Sequence, residues 1–217
     1  MTEVWYIDIT NISEEQFRAD LKQLPGHIQK DILRYWQLTD QQLKLYGKLL
    51  VALYCKENAI HFDWNQWEVS PDGKPMISGV KFNISHSGTI VIAGFSSVEI
   101  GIDIELIKEI DLTGMKRHFH QDEKQHISSA QRKTDAFFNV WTRKEAFLKA
   151  KGIGILKGLR HENCLQEIIN DGHDKWCISS FPFNSNYQAA ICLQGQNMDE
   201  FNLKNKSEKL IGRSLTL

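Results

Sequence analysis

The chain has 217 residues, 41% of them hydrophobic, enough for one large or two small domains with a true core. Its net charge of −1 sets up no global field, so neither nucleic acid nor an anionic membrane is an expected partner, and any polyanion site must be local. No run approaches about 18 apolar residues and no leader pattern opens the chain, so a cytoplasmic protein without a membrane span is expected.

The chain opens with a strand-like Val4-Trp5-Tyr6-Ile7. Ser13 and Gln16 form a capping box for a helix with Phe17, Leu21 and Leu24 on one face, and Pro25-Gly26 interrupts it. Residues 28–35 and 40–56 read as helices, the second with Leu43, Tyr46, Leu50 and Leu53 on one stripe. Ser70-Pro71-Asp72-Gly73 is a turn signal and 80–84 a short strand. Residues 89–95 and 98–106 read as two strands of one hairpin, joined at Ser96-Ser97. Short helices are expected at 111–118 and 122–130, then a long one at 135–151 closed by Gly152 and Gly154. Residues 175–181 and 187–193 read as a hairpin across Asn184-Ser185, and the polar tail from Asn202 is expected to be poorly ordered. Cys55, Cys164, Cys177 and Cys192 have no paired spacing and read as reduced thiols rather than a zinc site.

Two segments carry chemistry. In Ile100-Gly101-Ile102-Asp103-Ile104-Glu105 the isoleucines alternate with the period of a half-buried strand. Asp103 and Glu105 therefore leave one face, about 6–7 Å apart. Two carboxylates that close repel each other unless a positive charge stands between them. On its own, such a pair is most often the wet face of a strand. The second segment, Trp141 to Lys149, reads as a helix with Glu145 and Lys149 one turn apart. That order alone would be a surface ion pair worth ~0.3–0.5 kcal/mol. Together the segments suit a hard cation carrying a phosphate ester.

In order and separation, Ile100-Gly101-Ile102-Asp103 and Trp141-Thr142-Arg143-Lys144-Glu145-Ala146-Phe147-Leu148-Lys149 resemble the two-part signature of the 4′-phosphopantetheinyl transferases. Asp72-Gly73-Lys74-Pro75 followed by Phe82-Asn83-Ile84-Ser85-His86-Ser87-Gly88 resembles that family's coenzyme A segment, and Gly47-Lys48-Leu49-Leu50 its upstream helix. The likeness runs from about residue 25 to residue 154 and is nearest to the long, surfactin-synthetase-activating type.

The resemblance implies an α+β fold of two pseudo-symmetric α/β halves, each a small, mainly antiparallel sheet packed with helices. Residues 1–97 would bind coenzyme A and 98–217 would hold the metal and catalytic motifs, with the site in the cleft between them. One chain holding both halves is expected to act as a monomer. The implied reaction moves 4′-phosphopantetheine from coenzyme A to a serine of an acyl or peptidyl carrier protein, releasing adenosine 3′,5′-bisphosphate. Magnesium would sit on Asp103, Glu105 and Glu145. Glu145 or Glu123 would take the serine proton, with Asp122 as a substitute for Glu123. Glu123 reads equally well as a first-turn carboxylate favoured by a helix dipole. Lys149 and His86 would meet the pyrophosphate, with Ser85 beside them and His86 donating from both nitrogens when protonated. Lys74 would approach the nucleotide end.

The pattern is broken where basic residues should follow Pro25 to hold the 3′-phosphate. His27 and Lys30 stand there, with Leu43 in place of an arginine, and Lys44 and Lys48 are the nearest compensating cations. Residues 115–133, with Lys116, Arg117, Lys124, Arg132 and Lys133 among Met115, Phe119 and Ile127, offer a basic and apolar docking surface for an acidic carrier helix, or else a solvated linker. The competing readings are a coenzyme A or carrier-binding module without turnover, and a magnesium-dependent nucleotide phosphohydrolase.

Overall fold

The computed structural model describes residues 2–112, 119–154, 162–195 and 201–210. Strand β1 (Glu3–Asp8) sends Val4, Trp5 and Ile7 into the interior. Ser13 then caps α1 (Glu14–Leu21) by accepting from the Gln16 amide at 3.1 Å. The box is only half made, because the Gln16 side chain donates instead to Asp20. Pro25 starts α2 (Gly26–Leu33), which ends two residues before the sequence suggests. Helix α3 (Leu38–Glu57) is buried around much of its girth, and Gly47 lets it lie close on Ile84 and Val91. A two-stranded ribbon follows, β2 (Glu68–Val69) and β3 (Pro75–Met76).

The first sheet has the order β10-β1-β5-β4, with β4 (Lys81–Ser87) and β5 (Ile90–Ser96) an antiparallel hairpin. The expected hairpin between 89–95 and 98–106 does not form. After β5 the chain crosses into a second sheet, where β6 (Ile100–Leu106) pairs with β9 (Tyr187–Gln194). That sheet has the order β6-β9-β8-β7, with β8 (Asp174–Asn184) and β7 (Ile168–Asp171), an edge strand the sequence reading lacked. Its covering helix is α5 (Lys133–Lys151), preceded by α4 (Gln121–Ser129). The helix expected at 111–118 falls mostly on 113–118, outside the described residues.

The two halves share a topology. In each, a first strand is followed by helices, and the half's last strand then pairs between that first strand and the penultimate one: β1-β5-β4 and β6-β9-β8. The architecture is thus α+β in two sheet-bearing halves. Contrary to the expected loose tail, residues 202–205 form β10 (Asn202–Asn205), parallel to β1, and α6 (Ser207–Leu210) follows. Lys206 and Lys209 both reach Glu57 at the end of α3, and Lys206 also lies over the Trp5 ring.

Strands β4 and β6 lie side by side in different sheets, and side chains take the place of a backbone ladder. Asn83 Oδ1, Ser85 Oγ and Ser87 Oγ, alternate residues of β4, accept from the amides of Ile102, Ile104 and Leu106 at 2.9, 3.4 and 3.0 Å. Alternation puts all three on one face of β4.

Candidate active site

The seam between β4 and β6 also positions the carboxylates. Ser85 Oγ donates to Asp103 Oδ1 at 2.7 Å and Ser87 Oγ donates to Glu105 Oε2 at 2.8 Å. Helix α5 brings Glu145 and Lys149 to the same place, and it comes that close because residue 101 is glycine. A Cβ there would stand 1.9 Å from the Ala146 carbonyl oxygen and 2.3 Å from the Ala150 nitrogen. Lys149 Nζ donates to Asp103 Oδ1 at 2.5 Å and to Ser85 Oγ at 3.0 Å. Asp103, Glu105, Trp141, Glu145 and Lys149 line one cleft of about 510 Å³ with Ser85 and His86.

The electrostatics are those of a crowded anionic cluster. Burial, reinforced by Asp103 and Glu105 and opposed by Lys149, pushes Glu145 up to about 7. Burial also raises Glu105, with Asp103 adding to it. Burial works against the charge on Lys149, but Asp103, Glu145 and Glu105 outweigh it and keep the ammonium protonated. Asp103 Oδ2 is buried without a hydrogen-bond partner. Among the described residues no three carboxylate, imidazole or thiol groups close into a ready coordination sphere. Even so, the donor set fits a hard cation: three oxygen-ligand side chains share one wall, and one buried oxygen is left over.

Another part of the cleft's lining is cationic. Arg34, Lys44 and Lys48 form it with Tyr35, Trp67 and Asp31. Asp31 holds Lys48 at 3.2 Å and Arg34 at 3.4 Å. Lys48 lies 4.2 Å over the Trp67 ring, and Arg34 and Lys44 both lie over Tyr35. The cleft is therefore bipolar, with a surplus of cations near α2 and α3 and a surplus of carboxylates at β6 and α5. An extended polyphosphate ester with a metal at one end matches such a division.

A model of the 4′-phosphopantetheinyl transferase superfamily matches residues 99–192, and one of the 4′-phosphopantetheinyl transferase N-terminal region matches 11–97. The 4′-phosphopantetheinyl transferase psf-1 of Bacillus pumilus is 30% identical over 209 residues, covering 88% of this chain and 89% of its own. The chain belongs to the 4′-phosphopantetheinyl transferase superfamily. Similar relatives are the transferase Sfp of Bacillus subtilis, 28% identical over 83% of this chain and 87% of its own, and gsp of Aneurinibacillus migulanus, 31% identical over 71% and 68%. Membership makes the chain an enzyme of the phosphopantetheinyl transferase class.

Within that family frame, the structure places several residues elsewhere than the sequence suggests. Lys74 is not among the residues lining the bipolar cleft; its ammonium is bonded to Glu99 and to the carbonyls of Ile100 and Ala150. Lys30 is exposed on α2 and does not line the cleft, and His27 lies 3.4 Å from the Trp64 carbonyl oxygen. His86 does line it, but burial, with Lys44 and Lys149 adding to it, lowers its pKa to about 4. It is therefore a neutral imidazole with one N–H to give, not the doubly donating cation expected. The single proton of Ser85 is directed at Asp103, so Ser85 shapes the cluster rather than donating into the cleft.

Glu123 is fully buried in α4, and both of its oxygens are occupied. Oε1 accepts from Lys144 Nζ and the Cys164 amide, each at 2.8 Å, and Oε2 accepts from the His120 amide at 2.8 Å. It closes the α4 capping box and is not among the residues that line the cleft. Asp122 bonds Asn163 on the surface. Phe119 and Ile127 are buried with Phe137, Phe138 and Val140, so they cannot offer an apolar docking face. Met115, Lys116 and Arg117 lie outside the described residues.

Sequence reasoning missed Arg34, Tyr35, Asp31 and Trp67 altogether. Arg34 and Tyr35 stand where α2 ends, a boundary the hydrophobic pattern placed two residues late.

Proposed function

We infer that this enzyme transfers 4′-phosphopantetheine from coenzyme A to a carrier-protein serine, with the bipolar cleft as the place of transfer. The observation that carries the reading is the joining of the Asp103–Glu105–Glu145–Lys149 cluster to the Arg34–Lys44–Lys48 wall within one cavity. The cationic wall takes the nucleotide end of coenzyme A, with Lys44 and Lys48 toward the 3′-phosphate. Asp103, Glu105 and Glu145 would hold magnesium, which when bound neutralises charge growing on the pyrophosphate. Lys149 presents its ammonium to the same oxygens as a point charge, and His86 donates its one N–H beside it. Glu145, which lines the cleft beside Lys149, would accept the serine proton, a role for which Glu123, buried against Lys144 and Cys164, has no access.

The domain division we propose follows the crossing at Val98: 1–97 for the nucleotide and 98–217 for metal and chemistry, with β10 and α6 returning to the first sheet. Four free, buried cysteines support a reducing, cytoplasmic setting. No helix among the described residues is long and apolar enough to cross a membrane. We propose action as a monomer, because both halves and the whole cleft come from one chain. For the carrier, the described part of the docking segment offers Lys124, Arg132 and Lys133 on α4 and at the start of α5.

The test is intact mass of an unmodified carrier protein after incubation with coenzyme A and magnesium. Gain of one phosphopantetheinyl group is the expected result. Nucleotide products with an unmodified carrier would mean a hydrolase, and binding without either product would mean a module without turnover.

A further inference from the structure

Lys74 belongs to the first half of the chain by sequence, yet among the described residues its ammonium's acceptors lie beyond the crossing into the second. Nζ donates to Glu99 Oε2 at 3.0 Å, to the Ile100 carbonyl at 3.3 Å and to the Ala150 carbonyl at 3.2 Å. Ile100 opens β6 three residues before Asp103, and Ala150 directly follows Lys149 in the last turn of α5. Lys81 bonds the other oxygen of Glu99. The turn presenting Lys74 is itself fixed: the Lys74 amide donates to Ser70 Oγ at 3.0 Å, and the Ser70 amide donates to the Lys74 carbonyl at 2.9 Å. The residues after α5 pack against that turn, with Gly152 beside the Lys74 stem and Gly154 beside Asp72.

We propose that Lys74 is a positioning residue for the transfer reaction, setting the spacing between β6 and α5 and hence between Asp103 and Lys149, rather than a contact for the nucleotide. The proposal rests on the active-site reading above. Asp103 and Glu105 come from one element, Glu145 and Lys149 from another, and at Gly101 no side chain separates the two backbones. The last turn of a helix leaves carbonyls without partners, and a cation is favoured there by the helix dipole. Lys74 fills that place on α5 while holding the first carbonyl of β6. One ammonium thus fastens both elements close to their reactive residues. Its side chain is 14% exposed, which keeps competing water from most of it.

The experiment uses the full chain and compares Lys74→Met, Lys74→Arg and Glu99→Gln with wild type, well below each melting temperature. Coenzyme A and dephospho-coenzyme A serve as alternative donors. Misplacement of reacting groups by about 1 Å costs up to about 100-fold, so kcat of Lys74→Met at saturating coenzyme A should fall by about 10- to 100-fold. The ratio of kcat/KM between the two donors should keep its wild-type value, because the 3′-phosphate is not touched. Lys74→Arg should recover most of kcat, and adding Glu99→Gln to Lys74→Met should cost little more.

A raised KM for coenzyme A at wild-type kcat, or a collapsed preference over dephospho-coenzyme A, would make Lys74 a nucleotide contact and overturn the proposal. A lower melting temperature with wild-type kcat would make it a simple brace and also overturn it. Amide hydrogen exchange at residues 148–152 reads the tether without substrate. Faster exchange in Lys74→Met supports the proposal, and unchanged exchange refutes it. If wild type modifies no carrier, the function reading fails, while the exchange result still decides the tether.

Discussion

Glu145 and Lys149 look interchangeable as partners of an ion pair one turn apart on α5, yet their surroundings make them unequal. Lys149 is the cation among three carboxylates, so Lys149→Met would strand Asp103, which is buried with one oxygen already unpartnered. Breaking a buried pair in this way costs about 3–5 kcal/mol. Glu145→Gln removes one like charge from the cluster instead and leaves the Lys149–Asp103 bond intact. We expect turnover to collapse in both variants, with the melting temperature falling in Lys149→Met and holding or rising in Glu145→Gln. Carrier mass and calorimetry measure the two effects, and equal melting temperatures would mean that the cluster is solvated. Strand and helix periods put Asp103 with Glu105 and Glu145 with Lys149, and the resemblance to the family's two-part signature joined the two pairs. Arg34 and Trp67 could not be placed from the chain, since their place in the cleft depends on how a helix end and a short ribbon meet α3.

Helix α5 does three jobs on three faces. Ala146, Phe147 and Ala150 pack on the second sheet, Glu145 and Lys149 face the cleft, and Arg143 and Lys144 fasten the neighbouring loop and α4. Arg143 donates to the carbonyls of Cys164 and Gln166 at 2.6 and 2.9 Å. Lys144 bonds the Glu162 carbonyl at 2.6 Å as well as Glu123. The motif's first lysine therefore secures structure while its second serves the site. Lys144→Met should cost about 3–5 kcal/mol by leaving Glu123 buried without its cation, and adding Glu123→Gln should restore part of that loss. Denaturant unfolding of the two variants measures it; additive losses would mean the two residues do not act as a pair. The alternation of residues 100–106 identified β6 as a strand but carried no information about its partner. Two strands joined by a short link look like a hairpin in any sequence, and only the burial of both faces of β6, under α5 and beside β4, sends it to the other sheet.

Across the whole molecule, the chain's last described segment closes back on its first strand. Glu57 accepts from Lys206 at 2.8 Å and Lys209 at 2.6 Å. Burial would raise the Glu57 carboxyl, but these two lysines outweigh it and hold it below the ordinary range. A carboxylate whose folded pKa lies below its unfolded one contributes stability above the unfolded value and loses it as pH falls through the folded value. The melting-temperature gap between wild type and Glu57→Gln should therefore be full near neutrality and vanish in acid, and a gap independent of pH would refute the assignment. The polar composition of residues 202–210 concealed this clasp, because their strand pairs through backbone and their charges find partners some 150 residues away. The seam between the sheets has a kinetic side. Along β6, amides 102, 104 and 106 are held by single side chains of β4, while the alternate amides face the continuous ladder to β9. One strand therefore carries two kinds of amide in strict alternation, one set reporting on the join between the halves and the other on the sheet, so hydrogen exchange along β6 reads the two separately.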